Sequence, residues 1–444
     1  MASRNGTVMS GGLDPTYGLS QALEEAWRCL QCYDPPCTKA CPAGIVIPRF
    51  IRMIRSSNIR GAGEAVRGSN PMAVSCGLAC PDEQLCASKC LRAAIDRPLE
   101  IRRLHRFATD QEGAMGPRKP ALASPTRARV AVVGSGPAGL TCLFELRRLG
   151  IAVTLFEARD RVGGVLSSTI PFYRFPDSAV AADASWTLGR TKGCRDGLKL
   201  GQAITDVALL ARDYDAVFVA PGLSARGPAI AGSDLVGVST AVEFLGRCRK
   251  SRYRTPVGSE VVVIGGGNVA IDAALAVVRC AEAKSMPHSR VHILYRRSRA
   301  QMPAWDREVR EAERIGVIIH FLVIPDSLVG EGKRLKGVRL FRATLGADDA
   351  TGRPAPVPVP ESGWVMPCDQ AILATGMKLD RGPLGNLPRT REGLLRTDPR
   401  TGRVRGNIYA GGDAASPDQS IVAAVRDAKR AARAIAVSLG VLVR

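Results

Sequence analysis

The sequence predicts an α/β protein with two Rossmann-like domains that follow a helical N-terminal domain. Two observations predict the α/β part. An apolar strand, a glycine-rich turn, a helix and a second strand occur in order at 129–157, and the same unit recurs at 260–299. A third observation sets the N-terminal segment apart, because eight of the 13 cysteines lie within residues 29–90. Metal or redox chemistry is therefore expected beside two nucleotide-binding domains.

Composition excludes several classes of protein. The 444 residues are too many for one core, and 45% hydrophobic content is ample for several packed domains. Neither a signal peptide nor an apolar run of membrane-spanning length is visible, so we expect a cytoplasmic protein with no membrane partner. The net charge is +21, but aromatic residues are only 5% and no basic stripe occurs. These features predict no nucleic-acid partner.

The chain divides by composition into five segments. Residues 1–112 are basic and cysteine-rich, and their apolar residues recur at helical spacing. A Gly/Pro/Ala-rich linker follows at 113–128. The predicted nucleotide-binding segments are 129–225, 226–367 and 368–444, and residues 345–363 read as a long Pro/Gly loop.

The first glycine turn carries a complete dinucleotide-binding fingerprint. It comprises Gly134, Ser135, Gly136, Pro137, Ala138 and Gly139. The glycines permit a tight turn, a close approach to a pyrophosphate and packing of the helix on the strand. Glu157 ends the second strand, where a carboxylate accepts hydrogen bonds from a ribose diol. We therefore predict a bound dinucleotide here.

The second glycine turn predicts a nicotinamide nucleotide site. Gly265, Gly267 and Asn268 lie between a strand and a helix, but no acidic residue ends the second strand of this unit. Arg296, Arg297 and Arg299 stand there instead. A guanidinium binds a 2′-phosphate that a carboxylate would repel, so we predict NADPH rather than NADH as the donor. The alternative is a solvated basic face in an arginine-rich chain.

The clustered cysteines form two runs. The first contains Cys29, Cys32, Cys37 and Cys41, and the second contains Cys76, Cys80, Cys86 and Cys90. Their thiolates suit either zinc or iron–sulfur clusters, and this chemistry leaves both open. The Cys-Pro that ends the first run is typical of two-cluster ferredoxins. Zinc cannot provide the one-electron exits that a two-electron hydride donor beside this segment needs, so we predict two [4Fe–4S] clusters. The remaining cysteines read as ordinary buried residues: Cys142, Cys194, Cys248, Cys280 and Cys368.

Further motifs resemble the flavoproteins with two dinucleotide-binding domains. Gly163-Gly164 follows the acidic residue, and "NIYAGGDAA" places Gly412 and Asp413 at a late strand end. The resemblance implies that FAD occupies the first turn, that Gly412 and Asp413 contact it, and that the nicotinamide domain is inserted in the FAD domain. The cysteine runs together with "ILYRRSRAQMPAWDREVREAERIGV" resemble the glutamate synthase small-subunit-like family, and most of all the electron-input half of dihydropyrimidine dehydrogenase.

This resemblance implies a division of the ligands between two clusters. Cys29, Cys32, Cys37 and Cys90 match one cluster, whereas Cys41, Cys80 and Cys86 match three ligands of the other. His105 stands at the family's non-cysteine ligand position, and Cys76 matches no ligand. The resemblance further implies a partner subunit that carries FMN and reduces the final substrate. Hydride transfer needs stacked rings more than an acid or base, so we predict no catalytic acid or base.

Three other functions were weighed against this one. The NADPH-binding subunit of a bifurcating transhydrogenase shares most of these motifs and remains open. A disulfide reductase needs a redox cysteine pair that the nucleotide-binding domains lack. A non-enzymatic iron–sulfur electron-transfer or redox-sensing module would not need the intact glycines and Glu157.

Overall fold

A computed structural model describes residues 15–118, 123–189, 197–225, 230–284, 289–349 and 352–443. The chain forms two compact units. The first unit comprises Met1–Ser167, Phe172–Leu223 and Leu379–Arg444, and the second comprises Ser168–Pro171 and Ser224–Lys378. Within the described ranges, no helix combines the length and the apolar character that crossing a bilayer requires.

Among the described residues, only helices precede residue 114, and strands with intervening helices follow it, as the sequence predicts. The described helices are α1 (Leu19–Trp27), α2 (Pro36–Lys39), α3 (Ile47–Arg55), α4 (Ile59–Ser69), α5 (Ala73–Ala79), α6 (Ile101–Ala114), α7 (Pro137–Arg148), α8 (Val165–Ser168), α9 (Asp177–Leu188), α10 (Val207–Asp213), α11 (Ala241–Ser251), α12 (Asn268–Ala283), α13 (Asp306–Arg314) and α14 (Ile421–Ser438). The described strands are β1 (Arg129–Val133), β2 (Ala152–Phe156), β3 (Gly197–Lys199), β4 (Ala216–Val219), β5 (Ser224–Ala225), β6 (Val238–Thr240), β7 (Glu260–Ile264), β8 (Arg290–Tyr295), β9 (Ile318–Phe321), β10 (Val323–Glu331), β11 (Arg334–Asp348), β12 (Pro354–Pro358), β13 (Trp364–Pro367), β14 (Gln370–Leu373), β15 (Met377–Lys378), β16 (Arg403–Arg405) and β17 (Ile408–Ala410).

The N-terminal domain is held by amphipathic helices. In α3, Phe50, Ile51 and Ile54 recur at helical spacing and are buried. In α6, Leu104 and Phe107 do the same, and α4 packs between these two helices. The second cysteine run begins at Cys76 on α5 and continues among short 3₁₀ turns at Asp82–Gln84, Ala87–Lys89 and Leu91–Ala94.

A six-stranded sheet forms the core of the first unit. Its order is β16-β17-β4-β1-β2-β3, and only β16 runs antiparallel to its neighbour. The strand β17 comes from the C-terminal part of the chain, yet it pairs directly with β4. The chain thus leaves this sheet after β4 and returns to complete it, which confirms the predicted insertion of one domain in the other. Helices α7 and α14 pack together beside this sheet.

The second unit contains a parallel sheet of order β6-β14-β7-β8-β9. Its strand β14 pairs with β7 in the register Gln370↔Val261. The predicted segment boundary at 367/368 is therefore too early, because β14 completes the second sheet before the chain returns to the first unit. The apolar pattern of a single strand does not indicate which sheet the strand joins.

The predicted loop at 345–363 is partly strand. The strand β11 continues to Asp348 and pairs antiparallel with β12 in a sheet in which β12 is an edge. Proline has no N–H to donate, and the strand contains Pro354, Pro356 and Pro358. An edge strand tolerates such residues because one of its sides has no partner strand, so the proline content misled the sequence-based prediction.

Candidate functional site

The first glycine turn is fixed by two close backbone approaches. A Cβ on Gly134 would lie 2.3 Å from the carbonyl oxygen of Ala220, and the φ of Gly134 is +95°. A Cβ on Gly139 would lie 1.8 Å from the carbonyl oxygen of Gly134. At Gly136, in contrast, a Cβ would meet nothing within 4 Å. The turn therefore packs tightly against the protein and leaves open space beside Gly136, as a pyrophosphate site requires.

Glu157 directly follows β2, and its side chain lies against this turn. Its Oε2 accepts hydrogen bonds from the backbone N–H of Ser135 at 2.9 Å and from the Ser135 hydroxyl at 2.5 Å. Its Oε1 accepts a bond from the backbone N–H of Arg159 at 2.9 Å. The carboxylate is buried yet fully hydrogen-bonded, which holds it at the side of the turn where the fingerprint needs an acceptor.

Two distant segments converge on the same turn. The N–H of Gly163 donates to the carbonyl oxygen of Ser135 at 2.9 Å, and a Cβ on Gly164 would lie 2.9 Å from the Cα of Gly136. From the C-terminal part, a Cβ on Gly412 would lie 3.0 Å from that of Ala138. The structure thus brings together the predicted FAD-binding residues of three separate segments, including Pro137 in the first turn of α7.

Asp413 follows Gly412 and lies beside a carboxylate that the sequence did not single out. Burial raises the pKa of Asp413 to about 6, and the negative charge of Asp427 contributes. Asp427 is itself buried in α14, where its Oδ1 is paired with Arg426 at 3.0 Å and with Arg430 at 3.2 Å. The signal available in the sequence was an acidic residue among the apolar positions that form the buried face of α14.

The second glycine turn repeats the geometry of the first. A Cβ on Gly265 would lie 2.5 Å from the carbonyl oxygen of Ala374, whereas one on Gly267 would meet nothing within 4 Å. The Asn268 Oδ1 accepts a hydrogen bond from the backbone N–H of Trp305 at 2.9 Å, which anchors the start of α12. This unit also offers open space where backbone N–H groups begin a helix, and it fits a second dinucleotide.

The three predicted arginines have different environments. Arg297 is 2% exposed, its Nε donates to the carbonyl oxygen of Pro354 at 2.7 Å, and its Nη2 is paired with Asp349 at 2.6 Å. This placement corrects the predicted 2′-phosphate contact of Arg297, because its guanidinium holds the β11–β12 hairpin instead. Arg299 is paired with Asp306. The side chain of Arg296 is exposed, whereas that of Arg297 is buried.

Four cysteines from both runs form a first group. Burial raises the pKa of Cys37 to about 11, and the nearby thiols of Cys90, Cys29 and Cys32 raise it further. Burial also raises the pKa of Cys29, with Cys32 and Cys90 adding to the effect. The last cysteine of the second run has therefore returned to the first run, as the resemblance implies.

The other four cysteines of the two runs form a second and more deeply buried group. Burial raises the pKa of Cys80, and neighbouring Cys76, Cys86 and Cys41 raise it further. Within the described ranges, no three His, Cys, Asp or Glu side chains converge as the ligands of a single metal ion do. A four-iron cluster instead distributes its thiolates over several iron atoms. Because burial and mutual repulsion oppose ionisation of these thiols, their thiolates need a compensating cationic group, and the donor set fits such a cluster.

His105 and Cys76 lie near the second group. The His105 Nε2 lies 2.7 Å from the carbonyl oxygen of Ala73, which can only accept, so Nε2 carries the proton and the Nδ1 lone pair stays free of that bond. Burial lowers the pKa of His105 to about 4. The Cys76 thiol is buried on α5, and this burial raises its pKa. A neutral imidazole held by a backbone carbonyl is the usual arrangement of a histidine ligand.

Buried charges join the cysteine domain to the sheet domain within the first unit. The Asp183 carboxylate in α9 accepts bonds from the N–H groups of Val74 at 3.1 Å and Ser75 at 2.8 Å, at the start of the helix that carries Cys76. Arg67 is paired with Asp183 at 3.5 Å and with Glu112 at 2.7 Å. These residues were missed by the sequence analysis, because each reads there as an isolated surface charge.

A second buried contact reaches the cysteine domain from α14. Lys429 donates through Nζ to the carbonyl oxygens of Ala43 and Ser69, both at 2.8 Å. The helix that carries Lys429 begins close after the Gly412–Asp413 turn. One helix therefore connects the predicted flavin contacts with the residues that follow Cys41.

Comparison with known proteins identifies the families of the two parts of the chain. Residues 11–117 match the family model described as dihydropyrimidine dehydrogenase domain II, 4Fe-4S cluster. Residues 128–432 match the model described as pyridine nucleotide-disulphide oxidoreductase. Among solved structures, FprA from Mycobacterium tuberculosis has a TM-score of 0.61 at 21% identity, over 71% of this chain and 85% of that chain, which is a likeness of fold. The predicted fold class and the predicted cofactor classes are confirmed.

Two relatives define the family more closely. The NADP(+)-dependent formate dehydrogenase subunit beta of Moorella thermoacetica is 37% identical over 430 residues, which are 90% of this chain but 59% of that protein. The NAD-dependent dihydropyrimidine dehydrogenase subunit PreT of Escherichia coli (strain K12) is 33% identical over 95% of both chains. The chain therefore belongs to the glutamate synthase small-subunit-like family of pyridine nucleotide-disulphide oxidoreductases, and it is an NAD(P)H-dependent FAD and iron–sulfur oxidoreductase.

Proposed function

We propose that the chain is the electron-input subunit of a two-component reductase. It takes hydride from NADPH and passes single electrons to a partner subunit that carries FMN, of dihydropyrimidine dehydrogenase or glutamate synthase type. One observation carries this proposal: within one compact unit, the two cysteine groups are joined by buried contacts to the domain that bears the first glycine turn. This arrangement supports an electron exit beside the proposed flavin site.

The chain's own residues prepare the flavin site. Gly136 leaves room for a pyrophosphate, and Glu157 is held at the ribose side of the turn. At the start of α14, the Ser420 hydroxyl accepts a hydrogen bond from the N–H of Ala423 at 3.2 Å and stabilises the first turn of that helix. When bound, FAD supplies the conversion of a two-electron hydride into single electrons. Asp413 can hold a proton on its carboxyl group near neutral pH, because its pKa is raised to about 6.

The proposed cluster ligands follow the two cysteine groups. Cys29, Cys32, Cys37 and Cys90 are proposed for one [4Fe–4S] cluster, and Cys41, Cys80, Cys86 and His105 for the other. The tautomer set by the bond from Nε2 to Ala73 and the lowered pKa of His105 support its role, and Cys76 is the competing eighth ligand. The nucleotide donor is proposed to bind at Gly265, Gly267 and Asn268, with Arg296 at the 2′-phosphate.

A second direction of electron flow is favoured by one relative. The formate dehydrogenase subunit is described as NADP(+)-dependent and is 37% identical, although this chain spans only 59% of it. The same machinery would then receive electrons from a dehydrogenase partner and reduce NADP⁺. The proposed FMN partner and this alternative differ in the protein that co-purifies with the chain.

Anaerobic reduction of the purified chain tests the proposal. NADPH is expected to bleach the flavin band and then the broad iron–sulfur absorption, and the chain is expected to reduce artificial dyes. Pyrimidines and 2-oxoglutarate should be reduced only after an FMN subunit is added. Steady turnover of either substrate by the chain alone would contradict the subunit proposal. Co-purification with a dehydrogenase that drives NADP⁺ reduction would support the alternative direction.

A further inference from the structure

Two cysteines outside the cluster domain form a close pair in the second unit. The Sγ atoms of Cys248 in α11 and Cys280 in α12 lie 3.5 Å apart. Their side chains are 1% and 0% exposed. The sequence analysis classed both as ordinary small buried residues, because nothing in their spacing indicates that the two helices bring them together. A thiol pair at this separation needs only a small side-chain movement to form a disulfide bond.

The surroundings of the pair favour a thiolate on one of its members. The hydrogen bond from Cys280 lowers the pKa of Cys248, and the Thr255 hydroxyl lowers it further against the opposing effect of burial. In contrast, burial raises the pKa values of Cys142 and Cys368, the other buried thiols outside the cluster domain within the described residues. Because the thiolate is the nucleophile in cysteine chemistry, Cys248 differs from these ordinary buried thiols.

A strained segment places Thr255 beside the pair. Immediately after α11, Arg252 and Tyr253 have φ values of +50° and +62°, a backbone region that side-chain-bearing residues rarely adopt in succession. The N–H of Tyr253 donates to the carbonyl oxygen of Cys248 at 2.9 Å, which reverses the chain at this point. The reversal brings Thr255 beside both thiols, where its hydroxyl is held 2.8 Å from the Ser251 hydroxyl.

We propose that Cys248 and Cys280 are a peroxide-sensitive dithiol that forms a reversible disulfide between α11 and α12. The Cys248 thiolate attacks one oxygen of hydrogen peroxide, the O–O bond breaks, and the departing hydroxide takes up a proton to leave as water. Cys280 then attacks the resulting sulfenic sulfur, the S–O bond breaks, and the released hydroxide takes the Cys280 proton to form a second water. The thiols lose two electrons and the peroxide gains them.

The burial of the pair selects the class of oxidant. Hydrogen peroxide is small enough to reach a buried sulfur during local fluctuations, whereas exchange with a bulky disulfide needs a second sulfur to approach directly. The new bond would join α11 to α12, the helix that starts immediately after Gly267. The modification would therefore fix the helix on which the nicotinamide nucleotide site is built, whichever partner accepts the electrons.

Peptide mapping of the full chain with its cofactors tests the proposal. Arg247 and Arg249 flank Cys248, so trypsin would release too short a peptide, whereas cleavage after glutamate gives 244–260 and 261–282 with one cysteine each. After peroxide treatment and thiol blocking, we expect these two peptides to be linked, with the loss of two hydrogens and reversal by dithiothreitol. Blocked, unlinked thiols at both positions would overturn the proposal, as would oxidation no faster than that of Cys142 and Cys368.

Variants separate the two chemical roles. In Cys280→Ser, peroxide should leave a sulfenic acid at Cys248 that dimedone traps, whereas Cys248→Ser should leave Cys280 unreacted. Thr255→Val should slow the oxidation of Cys248 several-fold, and Cys142→Ser serves as the matched buried-thiol control. Equal dimedone labelling of both single variants would contradict the assignment of Cys248 as the nucleophile. Peptide mapping of the chain without substitutions does not depend on these variants, so it tests the proposal even if a variant misfolds.

Discussion

The side-chain nitrogen of Lys429 donates a hydrogen bond to the carbonyl oxygen of Ala43, two residues after Cys41, over 2.8 Å. It donates a second bond to Ser69 at the same distance. A side chain of α14 thus satisfies two backbone carbonyl groups of the cysteine domain. Together with Asp183, which accepts bonds from the start of α5, this contact attaches the cysteine domain to the domain that bears the first glycine turn.

Replacing Lys429 with methionine should weaken this attachment. The change leaves two carbonyl oxygens without their donor, and each such loss costs about 1–3 kcal/mol of unfolding free energy. We expect lower stability in chemical denaturation and slower cluster reduction relative to flavin reduction in anaerobic stopped-flow measurements. Arg433→Met on the exposed side of the same helix is the matched control. Unchanged cluster reduction in Lys429→Met would show that the contact does not position the domain.

Arg296 and Arg297 should respond differently to substitution. Arg296→Ala should raise the dissociation constant for NADPH roughly ten- to a hundredfold, because a charged hydrogen bond contributes about 1.5–3 kcal/mol, and should leave NADH binding unchanged. Arg297→Ala should lower stability and weaken both nucleotides alike, because it removes the buried anchor of β11–β12. Binding titrations with both nucleotides measure the difference. If Arg296→Ala weakened the binding of NADPH and NADH equally, Arg296 would not be the residue that distinguishes the two nucleotides.

The grouping of cysteines predicts which substitutions share a phenotype. Cys37→Ser and Cys90→Ser should both disturb the first cluster, although they lie in different runs, and Cys86→Ser should disturb the second. The complete protein should contain FAD and about eight irons, and loss of one cluster should leave about four. Iron analysis and low-temperature electron paramagnetic resonance of the reduced protein distinguish the two signals. Matching spectra for Cys86→Ser and Cys90→Ser would contradict the proposal that Cys90 belongs to the first cluster and Cys86 to the second.

The eighth ligand is decided by two further variants. His105→Ala should lose or convert the second cluster while flavin reduction by NADPH continues, and Cys76→Ser should have little effect on iron content. His105→Gln retains a side chain able to bind iron and should preserve more of the cluster signal than alanine does. An essential Cys76 with a dispensable His105 would reassign the ligand, and the bond from His105 to Ala73 would then be purely structural.

Motifs that depend on backbone geometry were predictable from the sequence. Gly134 and Gly139 allow close backbone approaches that a Cβ would prevent, so residue type alone revealed the turn. The nicotinamide turn at Gly265 was predictable for the same reason. The pairing of Cys90 with the first run came from the family resemblance, and the structure supports it.

Features that depend on tertiary contacts were not predictable. Arg296 and Arg297 are adjacent in the sequence, and only the hairpin that supplies Pro354 and Asp349 separates their roles. The Cys248–Cys280 pair likewise depends on how α11 packs against α12. The boundary after Pro367 was misplaced because hydrophobic pattern identifies a strand but does not choose the sheet it joins.

The return of Cys90 to the first cysteine group constrains how the protein matures. A nascent chain that has reached Cys41 displays three thiols of one proposed site and one of the other, so neither set is complete. The missing members leave the ribosome only when the second run has been translated. We therefore expect an iron–sulfur carrier protein to deliver its cargo after synthesis of the whole helical domain, and a premature stop before Cys90 to yield a product that cannot be matured at either site.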